Sequence, residues 1–226
     1  MIPKKAFLFD LDGVIVDTAK YHYEAWKKIA SNLGVEFTLE QNELLKGVSR
    51  VRSLDIILEL GNIKVSQKQK DQWLIQKNND YLSYLVTMNQ HEILPGVMFV
   101  LNFLKAQKQP IALASASKNA RFILEKTGIS TYFDVVVDGN DVGAAKPNPE
   151  VFIKAAKKVG VTPKNAIVFE DSIAGIQAAN SAKMTSIGIG DAKILHEAQF
   201  HFKDFTFIDE LFLKSLIDAT ISKNTH

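Results

Sequence analysis

The apolar run Ala6-Phe7-Leu8-Phe9 stops at Asp10-Leu11-Asp12-Gly13. So short and wholly apolar a run predicts a buried parallel strand that delivers carboxylates into the loop at its carboxyl end, with Leu11 turned back into the core. From about Thr18 to Met88 the period becomes helical. Tyr21, Ala25, Ile29 and Leu33 share one face, Leu54, Ile57, Leu58 and Leu60 form a second apolar set, and Trp73, Ile75, Tyr81, Leu82 and Leu85 a third. No strand pattern interrupts this stretch, which predicts a small all-helical unit.

After Pro95-Gly96 the pattern alternates. Apolar runs at Ile111 to Ala114, Val135 to Val137, Ala166 to Phe169 and Thr185 to Ile189 read as strands. Between them lie helical segments near Val97 to Ala106, Ala120 to Thr127, Pro149 to Val159 and Ile173 to Ala182, with Asn148 expected as N-cap and Pro149 at the first helical position. Such alternation predicts an α/β fold with a doubly wound parallel sheet, residues 1–16 and 95–226 forming the core and 17–94 the helical insert. Ser222 to His226 are polar and expected to fray.

Composition narrows the chemistry. With 226 residues the chain is long enough for a full core, and 46% hydrophobic with 23% charged residues places it with ordinary globular proteins. A formal charge of +2 without a dense basic run gives no reason to expect nucleic acid, and Lys154, Lys157 and Lys158 read as the wet face of a helix. The first apolar run is too short for a signal peptide or a membrane span, so a cytoplasmic protein without membrane contact is expected. There is no cysteine. Thiolate chemistry is thereby excluded, and carboxylates remain.

Four strand ends carry the polar residues: Asp10 and Asp12, Ser115 to Asn119, Lys146, and Glu170-Asp171. In an open α/β sheet these ends face one crevice. Asp10, Asp12, Glu170 and Asp171 converging there would repel one another without a cation, and magnesium is expected because it prefers oxygen ligands.

Phe9-Asp10-Leu11-Asp12-Gly13-Val14, Ser115 after an apolar strand, Lys146-Pro147 before a helix, and Glu170-Asp171-Ser172 after another strand resemble the four ordered motifs of the haloacid dehalogenase superfamily. The resemblance implies a Rossmann-like core with a helical cap, and magnesium-dependent phosphoryl transfer on small phosphate esters. By it Asp10 is the nucleophile and Asp12 the general acid/base. Ser115, the Ala116 N–H and Lys146 hold the phosphoryl oxygens; Asp10, the Asp12 carbonyl, Glu170 and Asp171 hold the metal.

Further stretches resemble the sugar-phosphate mutases of that superfamily, which interconvert β-glucose 1-phosphate and glucose 6-phosphate through a 1,6-bisphosphate. They are Asp17-Thr18-Ala19, Tyr21-His22 with Ala25-Trp26, Leu45-Lys46-Gly47-Val48-Ser49-Arg50, and Ala112 to Asn119. The resemblance implies that Arg50, Ser117, Lys118 and Asn119 hold a second phosphate. It also implies that Thr18, His22, Trp26, Lys46, Gly47 and Lys77 surround the sugar or position Asp12, in an enzyme that needs no second subunit. A phosphatase using water as acceptor is the alternative, and a non-catalytic phosphosugar-binding protein a more distant one. Two departures stand out: Phe169 where an aliphatic residue is expected, and an extra glycine in Asp141-Val142-Gly143-Ala144-Ala145.

Overall fold

A computed structural model of the chain describes residues 4–218; the expectation for Ser222 to His226 lies outside them. The first apolar run forms β1 (Ala6–Phe9). Four helices follow: α1 (Ala19–Asn32), α2 (Leu39–Glu43), α3 (Arg50–Leu60) and α4 (Gln67–Leu85). The rest alternates through α5 (Val97–Ala106), β2 (Ile111–Ala114), α6 (Ala120–Thr127), β3 (Val135–Val137), α7 (Glu150–Lys158), β4 (Ala166–Glu170), α8 (Ile173–Ser181) and β5 (Thr185–Ile189).

Beyond β5 the chain adds β6 (Phe200–Phe202) and α9 (Glu210–Asp218), which the apolar pattern did not predict. Helix α7 begins one residue later than expected, at Glu150. Asn148 still serves its first turn, accepting the Glu150 N–H at 3.0 Å.

The six strands lie in the order β3-β2-β1-β4-β5-β6, all parallel. Period-two alternation divides the core between the two faces of the sheet. Phe7, Phe9, Leu113, Ile167, Phe169 and Ile187 pack with α5, α6 and α9, whereas Ala6, Leu8, Ala112, Ala114 and Val168 pack with α7 and α8. Phe169 has a physical reason: its ring stacks on Phe9 at 4.7 Å and packs on Phe205 at 5.5 Å, so the aromatic side chain fills the space under β1 and β4.

The helical unit has its own core of Trp26, Ile29, Ala30, Phe37, Leu45, Leu54, Ile57 and Leu58. Leu60 and Ile75, expected on apolar faces, are exposed instead. Ala25, Tyr81 and Leu85 pack into the main core, so α1 and α4 belong to both cores. The two crossings between units run side by side, with Val16 bridged antiparallel to Ile93 and the Leu94 N–H bonded to Ile15 O at 3.0 Å. We propose this joint as the division between a core of 1–16 and 95–226 and a cap of 17–94. No described helix is long and apolar enough to cross a membrane.

Candidate active site

Strand order reverses around β1, and the carboxyl ends of β1, β2 and β4 open a crevice there. The Asp10 N–H bonds Phe169 O at 3.0 Å, which fixes its backbone beside β4. Lys146 Nζ lies 2.6 Å from Asp10 Oδ1 and 2.5 Å from Glu170 Oε1, its side chain fully buried. The second Glu170 oxygen accepts the Ser172 N–H and Oγ–H at 2.8 and 2.9 Å. Asp10, Glu170 and Asp171 each bring a carboxylate oxygen into one cluster whose atoms lie within 4.8 Å of one another. Gly13 has φ 79°, and a Cβ there would overlap the Asp171 carboxylate.

One buried lysine does not balance three carboxylates. Burial pushes the Asp10 carboxyl up to about 7; Lys146 opposes the rise, and the charges of Glu170 and Asp12 add to it. Burial, then Glu170, raises Asp171 well above the usual carboxylate range. Burial works against the charge of Lys146, yet Asp10 and Glu170 raise its pKa and keep it protonated. A hard divalent cation fits this set, because the donors are all oxygen and the site lacks positive charge.

Asp12 is in a different environment. It accepts a hydrogen bond from Thr18 Oγ1 and faces His22 Nε2 at 3.6 Å. Burial opposes ionisation, but the nearby His22 and the hydrogen bond from Thr18 hold its carboxyl below the ordinary value. Lys77 Nζ is 2.9 Å from His22 Nδ1 and lies over the rings of Tyr81 and Trp26 at 4.5 and 5.0 Å. Burial, then the charge of Arg50, pushes Lys77 down to about 7. Donation from the Lys77 ammonium to Nδ1 would leave the imidazole proton on Nε2, toward Asp12.

A cavity of about 500 Å³ opens over these groups. Asp10, Asp12 and Asp171 form part of its core wall with Ser115 to Asn119; His22, Trp26, Lys46, Gly47, Arg50 and Lys77 come from the cap. Among the described residues neither Arg50 nor Lys118 has an ion-pair partner. Ser49 caps α3 by accepting the Arg52 N–H at 3.2 Å, which sets Arg50 at the first helical position. Gly47 has φ 71°, and a Cβ there would overlap Ser172 Oγ, so only glycine lets the cap backbone lie this close to the core. Lys46 Nζ is 3.7 Å from Asp171 Oδ2.

Three expectations change in detail. Thr18 was expected among the substrate-binding residues, but it is fully buried, is not among the residues lining the cavity, and touches the site through Asp12. Lys146 and Glu170 stand behind Asp10 rather than on the cavity wall. Lys77, expected among the residues that surround the sugar or position Asp12, is buried against the rings of Trp26 and Tyr81 and meets His22. The extra Gly143 belongs to the wall: its N–H and that of Ala144 donate to Glu150 Oε2 at 3.0 and 2.9 Å, tying down the loop that leads to Lys146. Periodicity assigned Tyr81 to an apolar face and gave no signal for its hydroxyl, which is buried and unpartnered while the ring packs 4.1 Å from His22. Asn78, which bonds Asn119, carried no motif.

A sequence model of the haloacid dehalogenase-like hydrolases matches residues 4–183. A β-phosphoglucomutase of Bacillus subtilis is 40% identical over 191 residues, which is 84% of each chain. A phosphorylated carbohydrates phosphatase of Thermotoga maritima is 31% identical over 201 residues, 86% of this chain and 91% of its own. The crystal structure of a β-phosphoglucomutase from Clostridium difficile superposes with a TM-score of 0.91 at 41% identity, covering 96% of this chain and 98% of that one.

Proposed function

This chain belongs to the haloacid dehalogenase-like hydrolase family, and from that premise we propose that it is a β-phosphoglucomutase. It interconverts β-glucose 1-phosphate and glucose 6-phosphate through an aspartyl phosphate on Asp10 and a glucose 1,6-bisphosphate. The observation that carries this reading is the set of cationic groups that line the cavity apart from the acidic cluster. Lys146 stands behind Asp10, off the cavity wall, while Arg50 and Lys118 line the cavity and, among the described residues, make no ion pair. A mutase needs a second phosphate site because the bisphosphate must turn between half-reactions; a phosphatase does not. The B. subtilis and C. difficile relatives support the same reading.

In the forward direction the phosphoryl group leaves Asp10 Oδ for the 6-hydroxyl of glucose 1-phosphate, whose proton passes to the Asp12 carboxylate. After the bisphosphate turns, Asp10 attacks the other phosphorus. The bond from phosphorus to the 1-oxygen breaks, and that oxygen takes the proton back from Asp12. Lys146, the Ser115 hydroxyl and the Ala116 N–H stabilise charge on the transferring oxygens. Magnesium, when bound, neutralises phosphoryl charge; Asp10, Glu170, Asp171 and the Asp12 carbonyl are the groups that would hold it. The cap excludes water, which would otherwise hydrolyse the aspartyl phosphate.

The direct test incubates purified protein and magnesium with β-glucose 1-phosphate and a trace of glucose 1,6-bisphosphate, followed by phosphorus NMR. A mutase is primed and accumulates glucose 6-phosphate. Release of inorganic phosphate alone would identify the phosphatase alternative.

Arg50→Ala separates the two activities. Loss of a charge-assisted fork on the second phosphate removes on the order of 2 to 4 kcal/mol of transition-state stabilisation, roughly 30- to 1000-fold in mutase kcat/KM. Slow hydrolysis of acetyl phosphate, which has no second phosphate, should persist. Arg50→Lys should recover only part, because an ammonium brings charge without the planar fork.

Asp12→Ala tests the division between the two aspartates. Its carboxylate faces Thr18 and His22 rather than the acidic cluster, so magnesium affinity should change little while turnover falls about 10²- to 10⁴-fold. A drop in magnesium affinity comparable to that of Asp171→Ala, measured by calorimetry, would place Asp12 in the metal site instead.

A further inference from the structure

Asn119 Nδ2 donates to Asn78 Oδ1 at 3.2 Å, linking the start of α6 to the middle of α4. Under the division proposed above, one other side chain–side chain hydrogen bond crosses from cap to core among the described residues, and that is Thr18 to Asp12 at the joint itself. The Asn78 bond lies beyond the hinge and beside the cavity. Asn119 is free to make it, because its side chain caps no helical N–H although it precedes α6. Its backbone is fixed separately, by donation from the Asn119 N–H to Ser117 Oγ at 3.2 Å. Asn78 is half-buried and follows Lys77, so one turn of α4 supports both His22 and Asn119.

We propose that Asn78 is a positioning residue which makes closure of the cap depend on phosphate in the second site. The proposal rests on the mutase reading, in which Asn119 is a donor to that phosphate. A carboxamide nitrogen has two N–H groups. One goes to Asn78; the other remains for a phosphate oxygen. A phosphate that accepts the second N–H stops the amide from rotating and presents the first N–H to the cap. With the site empty the amide turns freely, and the bond to Asn78 must carry the entropic cost of ordering it. The link is between two neutral amides, which makes it weak enough to break in every catalytic cycle. The latch thus favours closure over a sugar phosphate and disfavours closure over water or a small acyl phosphate.

The test compares wild type, Asn78→Ala, Asn119→Ala and the double variant, in full-length enzyme with magnesium and the bisphosphate primer. Asn78→Ala should raise KM for β-glucose 1-phosphate about 3- to 10-fold, the worth of one neutral hydrogen bond. It should also release more inorganic phosphate per glucose 6-phosphate formed. Hydrolysis of acetyl phosphate should stay within about twofold, and so should the response to magnesium. In the Asn119→Ala background the effect of Asn78→Ala should disappear, since the residue acts through that amide. An unchanged KM in Asn78→Ala, or an effect that persists undiminished without Asn119, overturns the latch. Failure of the mutase reading would look different: wild type itself would not interconvert the glucose phosphates. In that case no second phosphate occupies the site, and the latch is overturned with the reading it rests on.

Discussion

Asp10→Asn is expected to lose turnover by on the order of 10⁴- to 10⁶-fold, the scale on which removal of a covalent nucleophile acts. The amide has nearly the shape of the carboxylate but no anionic oxygen to attack phosphorus. Its effect on folding should be small and in the favourable direction. Asp10 is buried beside Glu170 and Asp171, and both burial and the negative charge around it already oppose its ionisation. Neutralising it relieves repulsion within the cluster, and the asparagine oxygen still accepts from Lys146. Thermal melting should therefore match or exceed wild type in the absence of metal, while magnesium binds more weakly. Intact mass after exposure to acetyl phosphate gives the direct readout: wild type gains one phosphoryl group and the variant none. Phosphorylation of the variant, or turnover within a hundredfold of wild type, would remove Asp10 from the mechanism.

Much of this site could be read from the chain because its determinants are local. An apolar run that stops at Asp10, and another that stops at Glu170, place carboxylates at strand ends whatever the rest of the fold does. The parallel order then brings those ends together, since β1 lies between β2 and β4. What escaped was set by distant packing. Strand β6 is three residues long, too short for alternation to register, and it is defined by pairing with β5. Ile75 and Leu60 have apolar side chains at plausible helical spacing, but the cap is too small to cover every apolar position on its helices. Thr18 and Lys77 were expected at the site from the resemblance alone, and the hydrogen bond from Thr18 to Asp12 fits a positioning role, though spacing gave no sign of it. The burial of Lys77 between two rings was equally invisible. Asn78 is one polar residue in a polar stretch; its significance comes from a partner 41 residues away.

Lys146→Met should have two large effects that magnesium separates. The substitution keeps a long flexible side chain and removes the charge that stands 2.6 Å from Asp10 and beside Glu170. Both carboxylates stay buried, and Glu170 is fully so. Breaking a buried ion pair from one side costs about 3 to 5 kcal/mol, because the remaining charge has neither water nor partner. The metal-free variant should melt well below wild type. Activity should fall as well, by about 10²- to 10³-fold, the worth of one preorganised donor at a charged transition state. Magnesium can replace part of the missing charge in the ground state because Asp10 and Asp171 are in the same cluster. It should therefore raise the melting temperature of the variant more than that of wild type, and the variant should bind it at least as tightly. It should not restore turnover to the same degree, since a cation held by the carboxylates does not occupy the position of the ammonium. Calorimetric melting with and without magnesium, alongside mutase rates at saturating metal, distinguishes these effects. Equal magnesium stabilisation in both proteins would show that Lys146 and the cation do not share a charge-balancing role, and recovery of full activity would show that the lysine is structural alone.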